Sequence, residues 1–501
     1  MSHDPHAHRH DTPQSSDEAS RIRDTVWQGQ GTGPILFARG LNGARLRLAV
    51  VLVRPREETP PTLTTDSGAA AAETLQERGD HRLLRYTFTV PAVADAGYTL
   101  DGTHYPVNAA FDGDLRIAYV TCNGQEHDDR ERKTAERNVL WRRLAEQHGE
   151  RPFQLLLHGG DQLYADELLD THPTLRAWAR NELEDPATTT LPPSAVAAMR
   201  DYLLERYLEL YSQPAVAWLL ARVPSLAMWD DHDICDGWGS LSAAQLDCPV
   251  GRIVFDVARE HFLLLQLGAT DAALPEYCHD DSGTTLSWSL QLPGLTLVAP
   301  DLRSERRPNR VMGTDGWNAL RAALESTHAG HVLVLSSVPA LGPRLSWVEA
   351  VMLLTPHAQK YEDDLRDQWQ SRAHRTEWRE FLHALVATHE RGDTPVTVIS
   401  GEIHLATRGT MTTRSGPIHQ LVASGIAHPP PPGAYATALS TLARLGESPL
   451  PEHPIRLHPL PGKRRIYTAE RNYLILERRE ARWRAWWELE ASGPTPVLPL
   501  D

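Results

Sequence analysis

From residue 113 onward a short apolar run, a few polar residues and a longer amphipathic stretch follow one another repeatedly, and this rhythm restricts the fold more than any other feature. "RIAYVTC" precedes a helical period at Leu140, Trp141 and Leu144, "FQLLLHGGD" precedes helices across roughly 196–221, and "PSLAMWDDHD" precedes one near 252–266. "LTLVAPDLR", "HVLVLSSVP" and "PVTVISGEIH" continue the series. Strands alternating with helices predict a sheet with helices packed on its faces. The last 35 residues add "NYLILE" and "RWRAWWEL", read as a closing hairpin packed through Trp483, Trp486 and Trp487.

The stretch before this has a different grain. Between about 34 and 90, "PILFARG", "AVVLV" and "LLRYTFTV" are strand-like, with Gly- and Pro-bearing turns and no helical period, so a small β-sandwich is expected. Residues 91–112 read as a connector. The predicted organisation is a His-rich disordered tail at 1–22, an N-terminal β domain with connector at 23–112, and a catalytic domain at 113–501. His3, His6, His8 and His10 in the tail are read as solvated polar positions of a chain end. "AHPPPPGAY" and "LPEHPIRLHPLPG", within 428–462, are too long and stiff for a simple turn, which raises the question of a lid.

Charge narrows the function. Across 501 residues, Lys+Arg 50 against Asp+Glu 65 gives a net −15, the wrong sign for a general nucleic-acid or anionic-membrane surface. No apolar run reaches the ~20 residues of a spanning helix. Four cysteines (Cys122, Cys235, Cys248, Cys278) form no regular framework, which argues against a disulfide scaffold. The N-terminus lacks the basic-then-apolar plan of a secretory signal, so a cytoplasmic location is expected.

The chemistry gathers where the strands stop. "AYVTCN" ends on Cys122, "LLLHGGDQLYAD" on Asp161 and Tyr164, "LAMWDDHD" on Asp230, Asp231, His232 and Asp233, "VAPDLR" on Asp301 and Arg303, and "VISGEIH" on Glu402 and His404. In α/β sheets the carboxyl ends of strands converge on one crevice, where ligands bind. Three aspartates beside one another repel unless positive charge lies among them. Carboxylates with imidazoles are what a pair of metal ions needs, and two such ions activate a shared hydroxide near neutral pH. Asp161 follows Gly159-Gly160, where backbone can approach a site closely, which suits a bridging ligand. Thiolate and phenolate at Cys122 and Tyr164 favour a strongly acidic, redox-capable ion such as iron. Plainer roles stand beside these: Cys122 as a buried strand thiol, Tyr164 as a packed aromatic, Asp161 as a cap, Asp230 and Asp233 as orienting groups, His232 as a structural histidine, and Arg303, Arg306, Arg307 and Arg310 as a solvated face.

Taken in order, "GGDQLYADEL", "WDDHDICDGWGS", "DLRSER" and "SGEIHLATRG", after a Thr-Cys strand, resemble the PhoD-type alkaline phosphatases, a branch of the metallophosphoesterases. The resemblance covers about 113–430. It implies an α/β (α+β) fold, a metallophosphoesterase-like αββα sandwich preceded by the small β domain. It implies iron (Fe3+) and calcium (Ca2+), with Mn2+, Mg2+ or Zn2+ as substitutes, held by Cys122, Asp161, Tyr164, Asp231, Glu402 and His404. His232 then matches the general acid. At a strand end, Arg303 is suited to hold a phosphate as a bidentate fork, and Asn123 is a candidate substrate contact. Glu402 stands where the family's common form has Asp, one methylene shorter. No twin-arginine signal of the kind many family members carry is seen.

The expected activity is hydrolysis of a small-molecule phosphomonoester and/or phosphodiester by a metal-bridging hydroxide, with cations and Arg303 neutralising charge and His232 protonating the leaving oxygen. Two alternatives use the same residues. One is a metal-dependent amide hydrolase, which the absence of HExxH disfavours for the zinc-protease type. The other is a non-catalytic metal-binding or interaction protein, which has no use for an acid and an anion fork beside the ions.

Overall fold

The computed structural model describes residues 32–125, 132–328, 330–343, 367–444 and 446–500. The His-rich tail at 1–22 lies outside the described residues. In the first sheet, β1 (Thr32–Asn42), β2 (Leu115–Val120), β3 (Leu155–Gly159) and β4 (Ser225–Met228) carry the middle. They lie in the order β2-β3-β4-β1, and all three pairings are parallel. The second sheet is built on β5 (Leu295–Ala299), β6 (His331–Ser336), β7 (Val396–Ser400) and β8 (Gly416–Val422), again neighbours in that order and again parallel. The closing hairpin is present: β9 (Asn472–Arg479) pairs antiparallel with Arg482–Leu489 on one side and with β2 on the other.

Period-two side-chain alternation explains how the two sheets stack. Ile117 and Tyr119 of β2, Leu155 and Leu157 of β3, and Leu226 and Met228 of β4 join Leu297 of β5, Leu333 and Leu335 of β6 and Ile399 of β7 in one core between the sheets. The intervening residues Ala118, Val120, Leu156 and Ala227 face the other way, onto helices α1 (Val139–Glu150), α2 (Pro193–Tyr211), α3 (Pro214–Leu220) and α4 (Pro249–Gln266). Val298, Val332, Val334 and Val398 likewise meet α5 (Thr314–Glu325) and α6 (Arg375–His389) through Leu320, Trp378 and Phe381. The result is the four-layered αββα sandwich.

The N-terminal β region departs from a domain set apart at 23–112. β1 pairs in parallel with β4 at Phe37 and Ser225, and Arg45–Pro55, His81–Pro91 and Ala72–Arg78 follow outward, so these strands extend the first sheet to eleven. A separate four-stranded sheet does form, from Leu63–Thr65, Gly68–Ala70, Ala96–Leu100 and Thr103–Val107. The reason lies in β1 itself: Ile35 and Phe37 bury into the helical layer while Leu36 and Ala38 bury between the sheets, so both faces are apolar and the strand belongs inside a sandwich.

Candidate active site

All the strand ends that carry the chemistry lie at the same edge of the sandwich, because both sheets run their parallel strands toward it. Backbone hydrogen bonds tie the emerging loops together: the Cys122 N–H donates to Gly160 O (3.2 Å), the Asn123 N–H to Asp161 O (2.8 Å), and the His428 N–H to Cys122 O (3.2 Å). Four of the site residues, Cys122 (φ 49°), Asp161 (54°), Glu402 (61°) and His404 (51°), occupy the left-handed region. Non-glycine residues rarely adopt it, and such strain collects at functional sites. Gly160, at φ +105°, supports Asp161 in a second way, since a Cβ there would meet Asp230 Cβ at 2.7 Å.

Two groups of metal-ligating atoms share one member. Cys122, Asp161 and His404 bring a sulfur, a carboxylate oxygen and an imidazole nitrogen within 4.8 Å of one another, and Asp161, Asp230 and Asp231 do the same with three carboxylates. Asp161 is common to both. A third group, Asp231, His232 and Asp236, adjoins them. Around the first, Cys122 Sγ stands 3.7 Å from Asp161 Oδ2 and 3.1 Å from Ser424 Oγ, and Ser424 Oγ also accepts the His404 N–H at 2.8 Å. The Tyr164 hydroxyl lies 2.9 Å from His404 Nε2.

The donor sets fit cations. Asp161 Oδ1 and Asp230 Oδ2 are buried and accept no hydrogen bond, and Asp231 Oδ1 has only an ion-pair contact with Arg303 at 3.3 Å. Burial, reinforced by Asp230 and Asp231, raises the Asp161 carboxyl far above the ordinary range. Burial also raises Asp230, to about 7, with Arg303 opposing and Asp231 adding to the shift. Burial and the Asp161 charge raise the Cys122 thiol. Crowded, desolvated carboxylates with bare lone pairs call for positive charge, which at Asp161 the charge of His232 supplies too weakly to overcome burial and the neighbouring aspartates.

His232 sits beside these groups with its Nδ1 2.7 Å from Asp166 Oδ2. Burial disfavours the imidazolium, yet Asp166 and Asp231 outweigh it and raise the pKa well above the ordinary value. Asp233 serves the backbone: its carboxylate accepts from the N–H groups of Asp161, Leu163 and Asp230, at 2.9, 3.1 and 2.9 Å. Asp301 does the same for Leu286 and Arg303.

Three sequence candidates stand apart from the donor groups. Glu402 lines the cavity and accepts from Gln368 Nε2 at 2.7 Å, but joins neither group. Arg303 is 0% exposed and its guanidinium is spent: Nε donates to Asp230, Nη1 and Nη2 clamp Asp367 at 2.8 and 2.5 Å, and Nη1 also reaches Trp238 O. It lies behind the cavity wall, with no face turned to a phosphate. Asn123 is buried and accepts from Trp141 Nε1 at 2.8 Å. Arg306, read as part of a solvated face, is 1% exposed and contacts Asp367.

The sequence reading also passed over several residues. Asp166 orients His232, Asp367 anchors Arg303, and Ser337 Oγ donates to Asp230 Oδ1 at 2.8 Å. The His428 ring stacks on His404 with centroids 3.7 Å apart, and on Tyr164 at 5.2 Å. The signal for Ser337 and Ser424 was present, since each follows an apolar strand, but a lone serine carries little chemistry by itself. Asp161, Asp231, His232, Glu402, His404 and His428 border a cavity of about 730 Å³. Pro429, Pro430, Pro431 and Pro432 and the helix Gly433–Ala443 form part of its wall. Among the described residues no helix is long and apolar enough to cross a membrane.

Comparison with known proteins bears out the resemblance read from the motifs. A family model described as PhoD related phosphatase matches residues 120–361. An uncharacterized protein of Saccharomyces cerevisiae is 24% identical, the match covering 70% of this chain. The chain spans 62% of that curated relative's length. A solved structure of PhoD superposes with a TM-score of 0.53 at 11% identity, covering 94% of this chain and 88% of that one, a likeness of fold.

Proposed function

We propose that the protein is a metal-dependent phosphoesterase. The observation that carries this reading is the sharing of Asp161 between a sulfur–nitrogen–oxygen donor group and an all-carboxylate one, beside a histidine held by its own aspartate. Ligand chemistry assigns the first group, with Tyr164 adjoining, to iron and the second to calcium, since thiolate and imidazole suit a transition ion and oxygens alone suit a hard one. Glu402, in the cavity wall beside them, is the remaining carboxylate of the proposed set.

Bound there, two cations supply Lewis acidity that lowers the pKa of water and neutralises charge on phosphoryl oxygens. The chain's own residues do the rest. Asp161, held at its N–H by Asp233, fixes the spacing of the two groups. Arg303 works from behind, holding Asp230 and Asp231 in place, and so acts as a positioning residue. A water gives up one proton to solvent as its oxygen bonds to phosphorus, the bond from phosphorus to the leaving oxygen breaks with its electron pair on that oxygen, and His232 supplies the proton that oxygen needs and is reprotonated from solvent. Asp166 keeps His232 protonated and aimed.

The test is turnover of p-nitrophenyl phosphate and bis(p-nitrophenyl) phosphate by the purified chain, with and without chelator, together with elemental analysis. Chelator-sensitive release of p-nitrophenolate and iron in the isolated protein are expected. Absence of turnover with iron and calcium supplied overturns the reading.

A further inference from the structure

A second cavity, of about 960 Å³, lies next to the strand-end one and shares no lining residue with it. The helix Gly433–Ala443 borders both: Tyr435 and Leu439 line the first, Ala443 the second. Ile466 and Tyr467 divide in the same way, Ile466 to the second and Tyr467 to the first. The second cavity is lined by Arg375 at the start of α6, Arg444 just past the end of Gly433–Ala443, and Arg456 with His458 from Ile455–His458, the outermost strand of the second sheet.

Three guanidinium groups stand here against one carboxylate. Arg375 Nη2 meets Glu447 Oε1 at 3.4 Å, and Glu447 is the one acid among the described lining residues. The side chains of Arg444 and Arg456, both exposed, make no ion pair or hydrogen bond among the described residues. Two helices end at this cavity, α6 by its N-terminus and Gly433–Ala443 by its C-terminus, so their dipole charges offset and the arginines set the sign. A charged residue on an edge strand discourages edge-to-edge pairing, which accounts for Arg456 alone. Three arginines from three separate elements around one concavity, in a chain of net charge −15, do not follow from it.

We infer that this second cavity is a binding site for a short chain of phosphoryl groups, inorganic or carried by a nucleotide, held by Arg375, Arg444 and Arg456. A phosphoryl group presents oxygens in several directions, so guanidinium forks arriving from three elements can each meet a pair, whereas one planar carboxylate suits a single fork. The volume is far larger than one phosphate needs and is that of a whole small-molecule ligand. The inference goes beyond the phosphoesterase reading and does not depend on it, since none of these residues belongs to the donor groups.

Titration calorimetry on the full chain tests it, with the protein as isolated and again in EDTA, which removes metal as an alternative partner. Inorganic tripolyphosphate is the probe, with orthophosphate, citrate and adenosine triphosphate beside it. One equivalent of tripolyphosphate is expected to bind in both conditions, at least about tenfold more tightly than orthophosphate or citrate. Adenosine triphosphate binding more tightly than tripolyphosphate assigns the site to a nucleotide, and binding equally or more weakly assigns it to an inorganic chain. Arg444→Gln and Arg456→Gln, both at exposed positions, are each expected to weaken tripolyphosphate binding roughly tenfold. Arg414→Gln, whose side chain is 81% exposed and outside the cavity, should change nothing. No binding, binding confined to the sample without EDTA, affinity no better than that of citrate or orthophosphate, or wild-type affinity in both cavity variants overturns the inference. An equal loss from Arg414→Gln overturns it too, because the attraction is then one of general surface charge.

Discussion

Two groups of buried charge lie back to back in this protein, and they are managed in opposite ways. Behind the cavity, Arg303 and Arg306 meet Asp367, Asp230 and Asp231 in a network where every guanidinium nitrogen of Arg303 has a partner. In front, Asp161 has a bare oxygen and no cationic side chain within ion-pair reach among the described residues. In the first group the fold supplies countercharge through Arg303 and Arg306. In the second, Asp161 has no such ion pair among the described residues. Buried charge alone therefore says little about function; a carboxylate that the polypeptide leaves unpaired is the informative one. Asp367 shows the contrast: although burial raises its pKa, Arg303 and Arg306 prevail and hold the carboxyl below its usual range, whereas Asp161, without them, is driven up.

The sharpest way to break this comparison is Asp161→Asn, measured twice. With metals supplied, kcat/KM on bis(p-nitrophenyl) phosphate should fall at least about a hundredfold, since a ligand shared by both groups is lost. With chelator present, the same substitution should leave the thermal midpoint unchanged or raise it, because it removes an uncompensated buried carboxylate. Arg303→Met should do the reverse, costing about 3–5 kcal/mol in urea unfolding with or without metal, by stranding Asp230 and Asp367. Equal stability effects from the two substitutions would sink the distinction.

Asp166→Asn sharpens the role of His232. Without the aspartate the imidazolium loses a main support, so its pKa falls. An acid must be protonated to act, so activity is lost as pH rises through that pKa, and the substitution should move the alkaline limb of the pH–kcat profile to lower pH. The effect should appear with an alkyl leaving group, at roughly ten- to a hundredfold, and fade with p-nitrophenolate, which needs little protonation. A profile that does not move removes His232 from the acid role.

The smallest effect concerns a histidine outside the donor groups. Burial, aided by Arg222 and Arg116, lowers the His148 pKa from 6.5 to about 4, and its Nδ1 accepts the Phe153 N–H at 3.1 Å. The unfolded chain then binds a proton that the folded chain refuses. Stability from this group is complete above about pH 6.5 and is lost as pH falls toward 4. His148→Gln should flatten the urea-unfolding free energy over that window by about 1–3 kcal/mol. Unchanged slope would place the acid sensitivity elsewhere.

The site was more legible than its wiring. Cys122, Asp161, Asp231, His232 and His404 could be picked out because each follows an apolar strand, and parallel strands deliver their carboxyl ends to one edge. Asp166 and Asp367 could not, because each lies several residues beyond any strand and acts only through a partner far away in sequence, at separations of 66 and 64 residues. Arg303 was visible at its strand end, but not its direction. A guanidinium reads the same in a sequence whether it faces a phosphate or two aspartates.

Local periodicity and residue chemistry were enough to determine that this chain makes strands with helices on their faces and that metal-ligating groups gather at the strand ends. Tertiary structure alone decided that β1 pairs with β4 and so joins the N-terminal strands to the first sheet, that Asp161 belongs to two donor groups, and that Arg303 turns inward. The division has a physical cause. Alternation and strand ends are properties of neighbours along the chain, whereas pairing, sharing and facing depend on which distant segment arrives alongside.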